Sequence, residues 1–394
     1  MDRLTSTGEE IAPLIVSDTT PENQAASFRN QDQVWAVRAI RRGDVVRPLV
    51  PHGRSLANLT YEFGGVLLGI DDFMARRRTA GLLILKHGEI ALERYGMGNG
   101  PQSRWTSFST AKSMTATLAG AALYDGAIGS LDDPCEAYVP RLCGSAYEGV
   151  TIRNILRMCS GVAWREDNDA GGRSEIYRLG RAMWRRQPGA ILDLMCKLPR
   201  AHPQGAVFNY STGESSVLAA VVAAAMGRPL ADYFSERVWG PAGMEADAHW
   251  QLESEGGIEM GGFGVSACLR DVGRFGLLML DDGEGFNGRR VLPPGWRDLA
   301  GRPDCSATAF GRLTPGDPSG YGYHWWATPP VPGVHDGVFS ANGAYGQVIY
   351  VNPGEQVVVA IQSALRQSHD SDAGLETVAL LRAAVRALRP DLAS

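Results

Sequence analysis

The hydrophobic and polar positions divide the chain into an early pair of strands, a helical middle and a late run of strands. The apolar run 82–85 and the alternating run 90–95 flank the polar segment 86–89, and this pattern predicts a β-hairpin. Residues 109–124 are small and apolar, which predicts a buried helix that ends near Gly126.

Helical periodicity dominates residues 151–240, where one helix is expected to begin at Thr151 and an apolar one to span 215–226. A further helix is expected over 271–280, with its apolar residues on one face. After it the pattern changes to strands and a final helix. The expected elements there are strands over 321–326, 347–351 and 357–362 and a helix over 372–388.

The order of these elements predicts an α+β fold. The early hairpin and the late strands join one antiparallel sheet flanked by helices, and the helical middle is an inserted domain. A cleft between the two lobes is the expected place for a small-molecule site. The predicted division is an N-terminal arm over 1–55, the first part of the α/β domain with the buried helix over 56–125, a mainly helical domain over 126–260, and the remainder of the α/β domain over 261–394.

Composition narrows the functional class. The chain has 394 residues, a net charge of -5, 44% apolar and 21% charged residues, which is ordinary for a soluble globular protein. It has no Lys or Arg run that indicates a nucleic-acid partner, and its longest apolar stretch, 217–226, is too short to span a membrane. The six cysteines lack zinc-site spacing, and the start lacks a secretory pattern, so a cytoplasmic location is expected.

Lysine is rare in this chain, and that makes each lysine informative. Among 38 basic residues only Lys86, Lys112 and Lys197 are lysines. Arginine keeps its proton in proteins, whereas a lysine releases it when its surroundings lower its pKa. Lys86 and Lys197 lie in turn-like contexts and are expected at the surface, whereas Lys112 lies in an otherwise uncharged helix.

Ser109 and Lys112 are three residues apart at the start of that helix. This spacing places their side chains on one face, and the helix N-terminus favours negative charge on the hydroxyl. An amine desolvated by apolar neighbours has a lowered pKa and accepts the serine proton. The alternative is a helix cap followed by a surface lysine.

Tyr210 lies between Phe208 and the helix expected near Ser215. A loop in that position can direct a tyrosine hydroxyl into a cleft. An ammonium group such as that of Lys112 favours the phenolate, which lets the tyrosine carry protons between nucleophile and leaving group. The alternative is a packed tyrosine with a capped hydroxyl.

The segment 341–347 is rich in small residues and leads directly into the strand over 348–351. Small residues at a strand edge leave backbone N–H groups open. One of these, together with the N–H of Ser109, can form an oxyanion hole. The alternative is a simple glycine-rich turn.

Together and in this order, these elements resemble the serine β-lactamase and penicillin-recognising superfamily in its class C branch. More closely, the chain resembles the 6-aminohexanoate-dimer hydrolase group, over roughly residues 30–385. The motifs that carry the resemblance are Phe108-Ser109-Thr110-Ala111-Lys112-Ser113-Met114-Thr115, Leu131-Asp132-Asp133-Pro134, Met158-Cys159-Ser160-Gly161-Val162, Tyr210-Ser211-Thr212-Gly213, Gly261-Gly262-Phe263-Gly264 with Arg270-Asp271, and Tyr323-His324-Trp325-Trp326.

The resemblance implies the antiparallel sheet with a helical second domain. It implies Ser109 as nucleophile, Lys112 as its activating partner and Tyr210 as general acid and base. It also implies an oxyanion hole from the N–H groups of Ser109 and Ala344, with no metal and no cofactor.

Two departures from the penicillin-recognising pattern change the expected substrate. Ala341 stands where those proteins carry a lysine or histidine that meets a substrate carboxylate, and Thr212 replaces the asparagine of their Tyr-x-Asn motif. Both differences favour an esterase or amidase over an enzyme that acts on β-lactams.

The sequence also indicates residues that are expected to contact substrate. The acyl pocket is expected to draw on the stretch 164–185, and acidic residues there are expected either to meet a cationic substrate amine or to be solvated. The candidate substrate-binding residues are Glu166, Asp167, Asp169, Trp326, Gly343 and Tyr345, with Trp325 as a further lining residue.

Three functions are therefore compatible with the sequence. The first is a serine hydrolase of short amides or carboxylic esters that forms an acyl-enzyme on Ser109. The second is a β-lactamase or D,D-peptidase with the same mechanism, and the third is a binding protein without activity. The expected partner is a small-molecule substrate rather than nucleic acid or membrane, and a homodimer is among the assemblies that the sequence allows.

Overall fold

The computed structural model describes residues 19–166, 173–302, 320–327 and 336–389, together with the backbone of two short strands near the start. Its strands, in chain order, are β1 Arg3–Leu4, β2 Glu10–Ile11, β3 Val37–Ile40, β4 Thr60–Phe63, β5 Val66–Gly69, β6 Thr79–Lys86, β7 Glu89–Tyr95, β8 Trp105–Thr106, β9 Ala248–Gln251, β10 Val265–Ala267, β11 Gly320–Tyr321, β12 Trp326–Ala327, β13 Phe339–Gly343, β14 Gln347–Asn352 and β15 Val357–Ser363. Its α-helices are α1 Gln24–Arg29, α2 Ile70–Arg76, α3 Thr110–Tyr124, α4 Ile152–Leu156, α5 Glu175–Trp184, α6 Ala190–Cys196, α7 Thr212–Met226, α8 Leu230–Phe234, α9 Leu269–Leu280, α10 Trp296–Gly301 and α11 Ser371–Leu388.

The largest sheet is antiparallel and joins strands from the two ends of the chain. Its order is β11-β12-β13-β14-β15-β6-β7, so the early hairpin pairs directly with the last strand. Every residue of β6 is buried, because helices cover both faces. Leu83 and Leu85 pack in the main core with α9, whereas Leu82 and Ile84 pack on the other face with α11. The predicted α+β fold, a sheet flanked by helices, is confirmed.

Two buried helices, α3 and α7, pack against each other beside this sheet. The first two turns of both helices are buried on all sides, which explains why neither has a clear polar face. The predicted helices over 109–124 and 215–226 are therefore present, and the second begins three residues earlier than predicted. Their N-termini bring Ser109 and Tyr210 to the same cleft.

The predicted N-terminal arm over 1–55 contains short regular elements. Residues 24–29 form α1, and Val37–Ile40 forms β3, which pairs with β9 in a four-stranded sheet of order β3-β9-β10-β8. The segment is short of periodic apolar residues because β3 is only half-buried and obtains its hydrogen bonds from a strand more than 200 residues away. The division into four parts stays a prediction.

Two local predictions also differ from the structure. Residues 321–326 do not form one strand, because a turn at 322–325 separates β11 from β12. Lys86 is buried rather than at the surface, and its ammonium donates a hydrogen bond to the Glu355 carbonyl at 2.6 Å. The β14–β15 turn provides that acceptor, which the local sequence around Lys86 does not reveal.

Within the described ranges, no single helix has the length and apolar composition needed to cross a membrane. The helical segments Thr212–Met226 and Leu230–Trp239 meet that requirement only as a pair, and a bend of 75° separates them.

Candidate active site

Ser109 and Lys112 meet at the start of α3, as their spacing predicts. Ser109 is the residue before the helix, and the Lys112 Nζ donates a hydrogen bond to its Oγ at 3.0 Å. The same amine donates to Thr212 Oγ1 at 2.9 Å and to the Gly262 carbonyl at 3.0 Å. The amine therefore has three acceptors, the number that an ammonium group can satisfy.

Burial determines the protonation of this amine. Lys112 is 1% exposed, and desolvation lowers its pKa to about 8 although the charge of Glu166 acts in the opposite direction. A substantial fraction is then the neutral amine in mildly alkaline solution. This agrees with the expectation that the amine accepts the proton of Ser109.

Two glycines allow the Gly262 carbonyl to reach the Lys112 amine. Gly261 and Gly262 pass between α3 and α7, and a Cβ at Gly261 would lie 2.0 Å from the Ser215 carbonyl oxygen. A Cβ at Gly262 would lie 2.7 Å from the Thr212 methyl group. Without side chains, this segment approaches both helices closely enough for its carbonyl groups to accept from Lys112 and Thr115.

Ser109 follows a strained residue. Phe108 has φ of 44°, a left-handed conformation that is rare for an aromatic residue. Its ring packs at 5.1 Å from the ring of Tyr345, which itself has φ of 60°, and at 4.8 Å from Phe28. This aromatic cluster connects the turn before Ser109 to the turn after β13 and holds both backbones in conformations that cost about 1–3 kcal/mol each.

The end of β13 lies directly against the backbone before Ser109. A Cβ at Gly343 would lie 2.8 Å from the Ser107 carbonyl oxygen, so only glycine permits this approach. Ala344 follows and lines the same cleft as Ser109. Within the described part of the chain, neither the Ser109 N–H nor the Ala344 N–H donates to a backbone carbonyl. Both are therefore available to a bound oxyanion.

Tyr210 lies in the cleft, but its electrostatic surroundings differ from the prediction. Its ring stacks on Trp326 at 5.6 Å, and Lys112 Nζ lies 4.9 Å from the ring centroid, over its face. Burial, and next to it the charge of Glu166, raises the pKa of Tyr210, while a hydrogen bond with Ser109 lowers it less. The expectation of a favoured phenolate was wrong, because desolvation and the charge of Glu166 together raise the pKa, and Tyr210 is a neutral hydroxyl.

Glu166 lines the cleft, but protein donors already bind its carboxylate. Oε2 accepts from the Thr212 N–H at 3.1 Å and from the indole N–H of Trp164, and Oε1 accepts from the Thr212 hydroxyl. The expected contact of Glu166 with substrate stays a prediction. Asp167 and Asp169 lie outside the described residues.

The other predicted lining residues divide into two groups. Trp326, Gly343 and Tyr345 line the cleft. Trp325 does not, because it is buried and stacks on Phe275 at 6.2 Å in the core. Neighbouring residues around a strand point to opposite sides, so only one of the two tryptophans faces the cleft.

The remaining walls of the cleft are apolar residues. The sequence indicates them only as members of the stretch 164–185 or of one of the family motifs. One face of helix α5 lines the cleft, and the basic residues of this helix are mainly exposed to solvent. The apolar residues that line the cleft near Ser109 are Phe108, Ile176, Leu179, Met183 and Phe263. The periodic spacing of 176, 179 and 183 in the sequence is the signal that indicates them.

Ala341 is 2% exposed and packs in the main core. The position that carries a cation in penicillin-recognising proteins therefore has a small buried side chain here. In the described ranges, no group of three or more His, Cys, Asp and Glu side chains is arranged to hold a metal ion.

An antiparallel sheet flanked by helices, with a helical lobe and this serine, lysine and tyrosine in one cleft, defines the chain as a serine hydrolase with a β-lactamase/transpeptidase-like fold. The chain belongs to the Beta-lactamase family, whose model matches residues 70–384.

Within this family the chain is similar to the 6-aminohexanoate-dimer hydrolase of Paenarthrobacter ureafaciens. The two are 29% identical over 351 residues, which cover 87% of this chain and 86% of that protein. Among solved structures it resembles a protein from Bacillus anthracis to which the same activity is provisionally assigned, with a TM-score of 0.81 and 22% identity over 92% of this chain and 94% of that one. It also resembles a D-stereospecific amidohydrolase from Streptomyces sp., with a TM-score of 0.55 and 18% identity over 76% and 93% of the respective chains.

Proposed function

We propose that this protein hydrolyses short linear amides or carboxylic esters, like those of 6-aminohexanoate oligomers, through an acyl-enzyme on Ser109. The observation that carries the proposal is the 3.0 Å contact between the buried Lys112 amine and the Ser109 hydroxyl, in a cleft with apolar walls. The name of the Paenarthrobacter ureafaciens relative supports the substrate class.

Acylation begins with proton transfer. The neutral amine of Lys112 takes the Ser109 proton while Oγ forms a bond to the substrate carbonyl carbon. The carbonyl oxygen becomes an oxyanion, which accepts hydrogen bonds from the N–H groups of Ser109 and Ala344. When the intermediate collapses, the bond to the leaving amine or alcohol breaks. Tyr210 donates the proton to the leaving group and recovers one from Lys112.

The raised pKa of Tyr210 supports this division of roles, because a neutral hydroxyl can donate at once to a leaving amine.

In deacylation, water attacks the ester carbonyl and gives its proton to Lys112. Ser109 Oγ then leaves and takes that proton, which restores the starting state.

The cleft walls favour an extended aliphatic acyl group. Ile176, Leu179 and Met183 form one apolar wall along α5, and Phe263 lies beside them. A methylene chain that is buried there gains about 0.8 kcal/mol of favourable transfer free energy per CH₂ group. The small buried Ala341 offers no cation to a substrate carboxylate.

The test combines covalent labelling with turnover. Wild-type protein and Ser109→Ala are incubated with a fluorophosphonate and with p-nitrophenyl hexanoate, and the adduct is located by mass spectrometry. We expect an adduct on Ser109 only in wild type, and release of 6-aminohexanoate from its linear dimer. Identical behaviour of the two proteins, with no adduct, contradicts the proposal and leaves a binding protein.

Nitrocefin serves as the competing substrate in the same assay. Little turnover is expected, because Ala341 cannot bind the β-lactam carboxylate. Nitrocefin turnover as fast as ester hydrolysis would instead identify the protein as a β-lactamase.

A further inference from the structure

The Thr212 hydroxyl lies between Glu166 and Lys112. It donates its single proton to Glu166 Oε1, and it accepts a hydrogen bond from Lys112 Nζ at 2.9 Å. A hydroxyl has one proton and two lone pairs, so the carboxylate determines that a lone pair faces the amine. An acceptor in that position stabilises the ammonium form of Lys112.

Glu166 is itself held in place by the protein. Two of its three donors belong to Thr212, and the third is the Trp164 indole. A carboxylate has about four acceptor sites, so little capacity is left for a substrate amine. The carboxylate is oriented toward the start of α7 and, through Thr212, toward Lys112.

We propose that Glu166 is a positioning residue, which acts through the Thr212 hydroxyl to hold the Lys112 amine against Ser109 and to keep that amine partly protonated. This inference rests on the proposed function, because it assigns to Glu166 control of the base in that reaction. In this role Glu166 acts on the residues that activate Ser109 and not on the substrate.

Among the described residues, the titratable groups next to Lys112 are Glu166, Tyr210 and His324, and of these Glu166 raises its pKa. Burial lowers the pKa of Lys112 to about 8 against the effect of Glu166. Tyr210 faces the amine with its ring and is neutral. His324 Nδ1 lies 3.1 Å from the Lys112 carbonyl oxygen, and burial lowers the pKa of this imidazole to about 4, so it is uncharged near neutral pH.

Glu166→Gln changes both the charge and the hydrogen bonding. The glutamine oxygen must accept from the Thr212 N–H and Trp164, which turns its amide NH₂ toward the Thr212 hydroxyl. That hydroxyl then accepts from glutamine, and its proton is free to point at the amine. A donor at this position favours neutral Lys112, so the lost charge and the reversed hydrogen bond lower the pKa in the same direction.

The rarity of lysine makes a direct measurement practical. With ¹³C at the lysine ε position, the protein gives three signals, which Lys86→Arg and Lys197→Arg assign by elimination. We expect Glu166→Gln to lower the pKa of Lys112 by about 1 unit. Glu166→Asp, which keeps the charge, restores much of the wild-type value, and the same spectra report whether each variant is folded.

Glu175→Gln is the matched control. Glu175 lies on the next helix and accepts from Arg165, not from Thr212 or Lys112. We expect no change in the Lys112 signal. An unchanged pKa of Lys112 in folded Glu166→Gln, or an equal shift in Glu175→Gln, would overturn the inference.

A kinetic comparison separates positioning from substrate binding. In Glu166→Gln, the acid limb of kcat/KM should move to lower pH by the same amount for p-nitrophenyl hexanoate and for the 6-aminohexanoyl ester. A rise of KM confined to the aminoacyl ester, with the acid limb unchanged, identifies Glu166 as a substrate ligand and contradicts the inference.

Thr212 provides the last pair of variants. Thr212→Ser keeps the bridging hydroxyl, whereas Thr212→Val removes it, so Ser109 labelling should be about 10-fold or more faster in Thr212→Ser than in Thr212→Val. Equal rates for the two variants contradict the bridge. If wild type is never labelled at Ser109, the proposed function fails, and the lysine titration still decides the role of Glu166 by itself.

Discussion

The Lys112 ammonium lies over the face of the Tyr210 ring, 4.9 Å from its centroid. Its three protons point instead to Ser109, Thr212 and the Gly262 carbonyl. A cation on a desolvated ring face contributes about 2 kcal/mol of attraction without stabilising a phenolate oxygen. This geometry agrees with the separate roles that we propose, in which the lysine is the base that activates Ser109 and the tyrosine is a neutral acid.

The first prediction concerns pH. Because neutral Lys112 is the base in the proposed mechanism and burial lowers its pKa to about 8, kcat/KM for an acyl ester should rise with pH and level off above a midpoint near pH 8. Stopped-flow or steady-state rates between pH 5 and 10 measure this midpoint. A midpoint near pH 6.5 would point to a histidine instead.

The second prediction concerns the lysine itself. Lys112→Arg keeps a positive charge but cannot accept a proton, so the rate of Ser109 labelling should fall by about 10³-fold or more at every pH. Lys197→Arg is the control, since Lys197 is exposed and away from the cleft. Comparable rates for the two variants would remove Lys112 from the reaction.

The third prediction separates two leaving groups. Tyr210→Phe keeps the ring stacked on Trp326 but removes the acid, so amide hydrolysis should fall by about 10²–10⁴-fold. p-Nitrophenolate leaves without a proton, so hydrolysis of its ester should fall much less. Equal losses for amide and ester would contradict the role of Tyr210 as acid to the leaving group.

The fourth prediction tests the approach of β13 to Ser107. Gly343→Ala places a Cβ 2.8 Å from the Ser107 carbonyl oxygen and displaces the following Ala344 N–H, so kcat should fall by about 10²–10³-fold. Gly354→Ala, in the β14–β15 turn, meets nothing closer than 3.7 Å and should keep wild-type kcat. A change confined to KM would indicate a substrate contact rather than an oxyanion hole.

The fifth prediction concerns a buried carboxyl group on α7. Burial raises the pKa of Glu214 from 4.5 to about 8, its Oε1 accepts from Ser160, and its Oε2 has no partner among the described residues. The folded state thus binds a proton that the unfolded state releases above pH 4.5. This contribution to stability is complete below pH 4.5 and is lost as pH rises through about 8.

Glu214→Gln mimics the neutral acid at all pH values. At pH 9 we expect the variant to unfold at a higher temperature than wild type, with a free energy of unfolding larger by an amount on the order of a few kcal/mol. At pH 5 the two proteins should differ little. Thermal unfolding followed by circular dichroism at both pH values is the measurement. The same difference at pH 5 and pH 9 would show that Glu214 does not titrate in this range.

Much of the fold follows from periodicity. The hairpin of β6 and β7, the helices α3 and α11 and the strands β14 and β15 have apolar runs that are long enough to be recognised locally. The half-buried β3 and the two-residue strands β11 and β12 were not predicted correctly, because they depend on partners that are distant in sequence.

The parts of the site that depend on local spacing can be predicted from the amino-acid sequence. Ser109 and Lys112 meet because residues three apart share a helix face, and Tyr210 precedes a helix that its own sequence specifies. The electrostatics of the site depend instead on the packing of the folded chain. Desolvation by packed helices makes Tyr210 neutral. Gly262 and Thr212 contact Lys112 from separate segments, and Glu166 acts on it through Thr212. Such contacts depend on how segments that are distant in sequence pack together, and a local sequence pattern does not determine that packing.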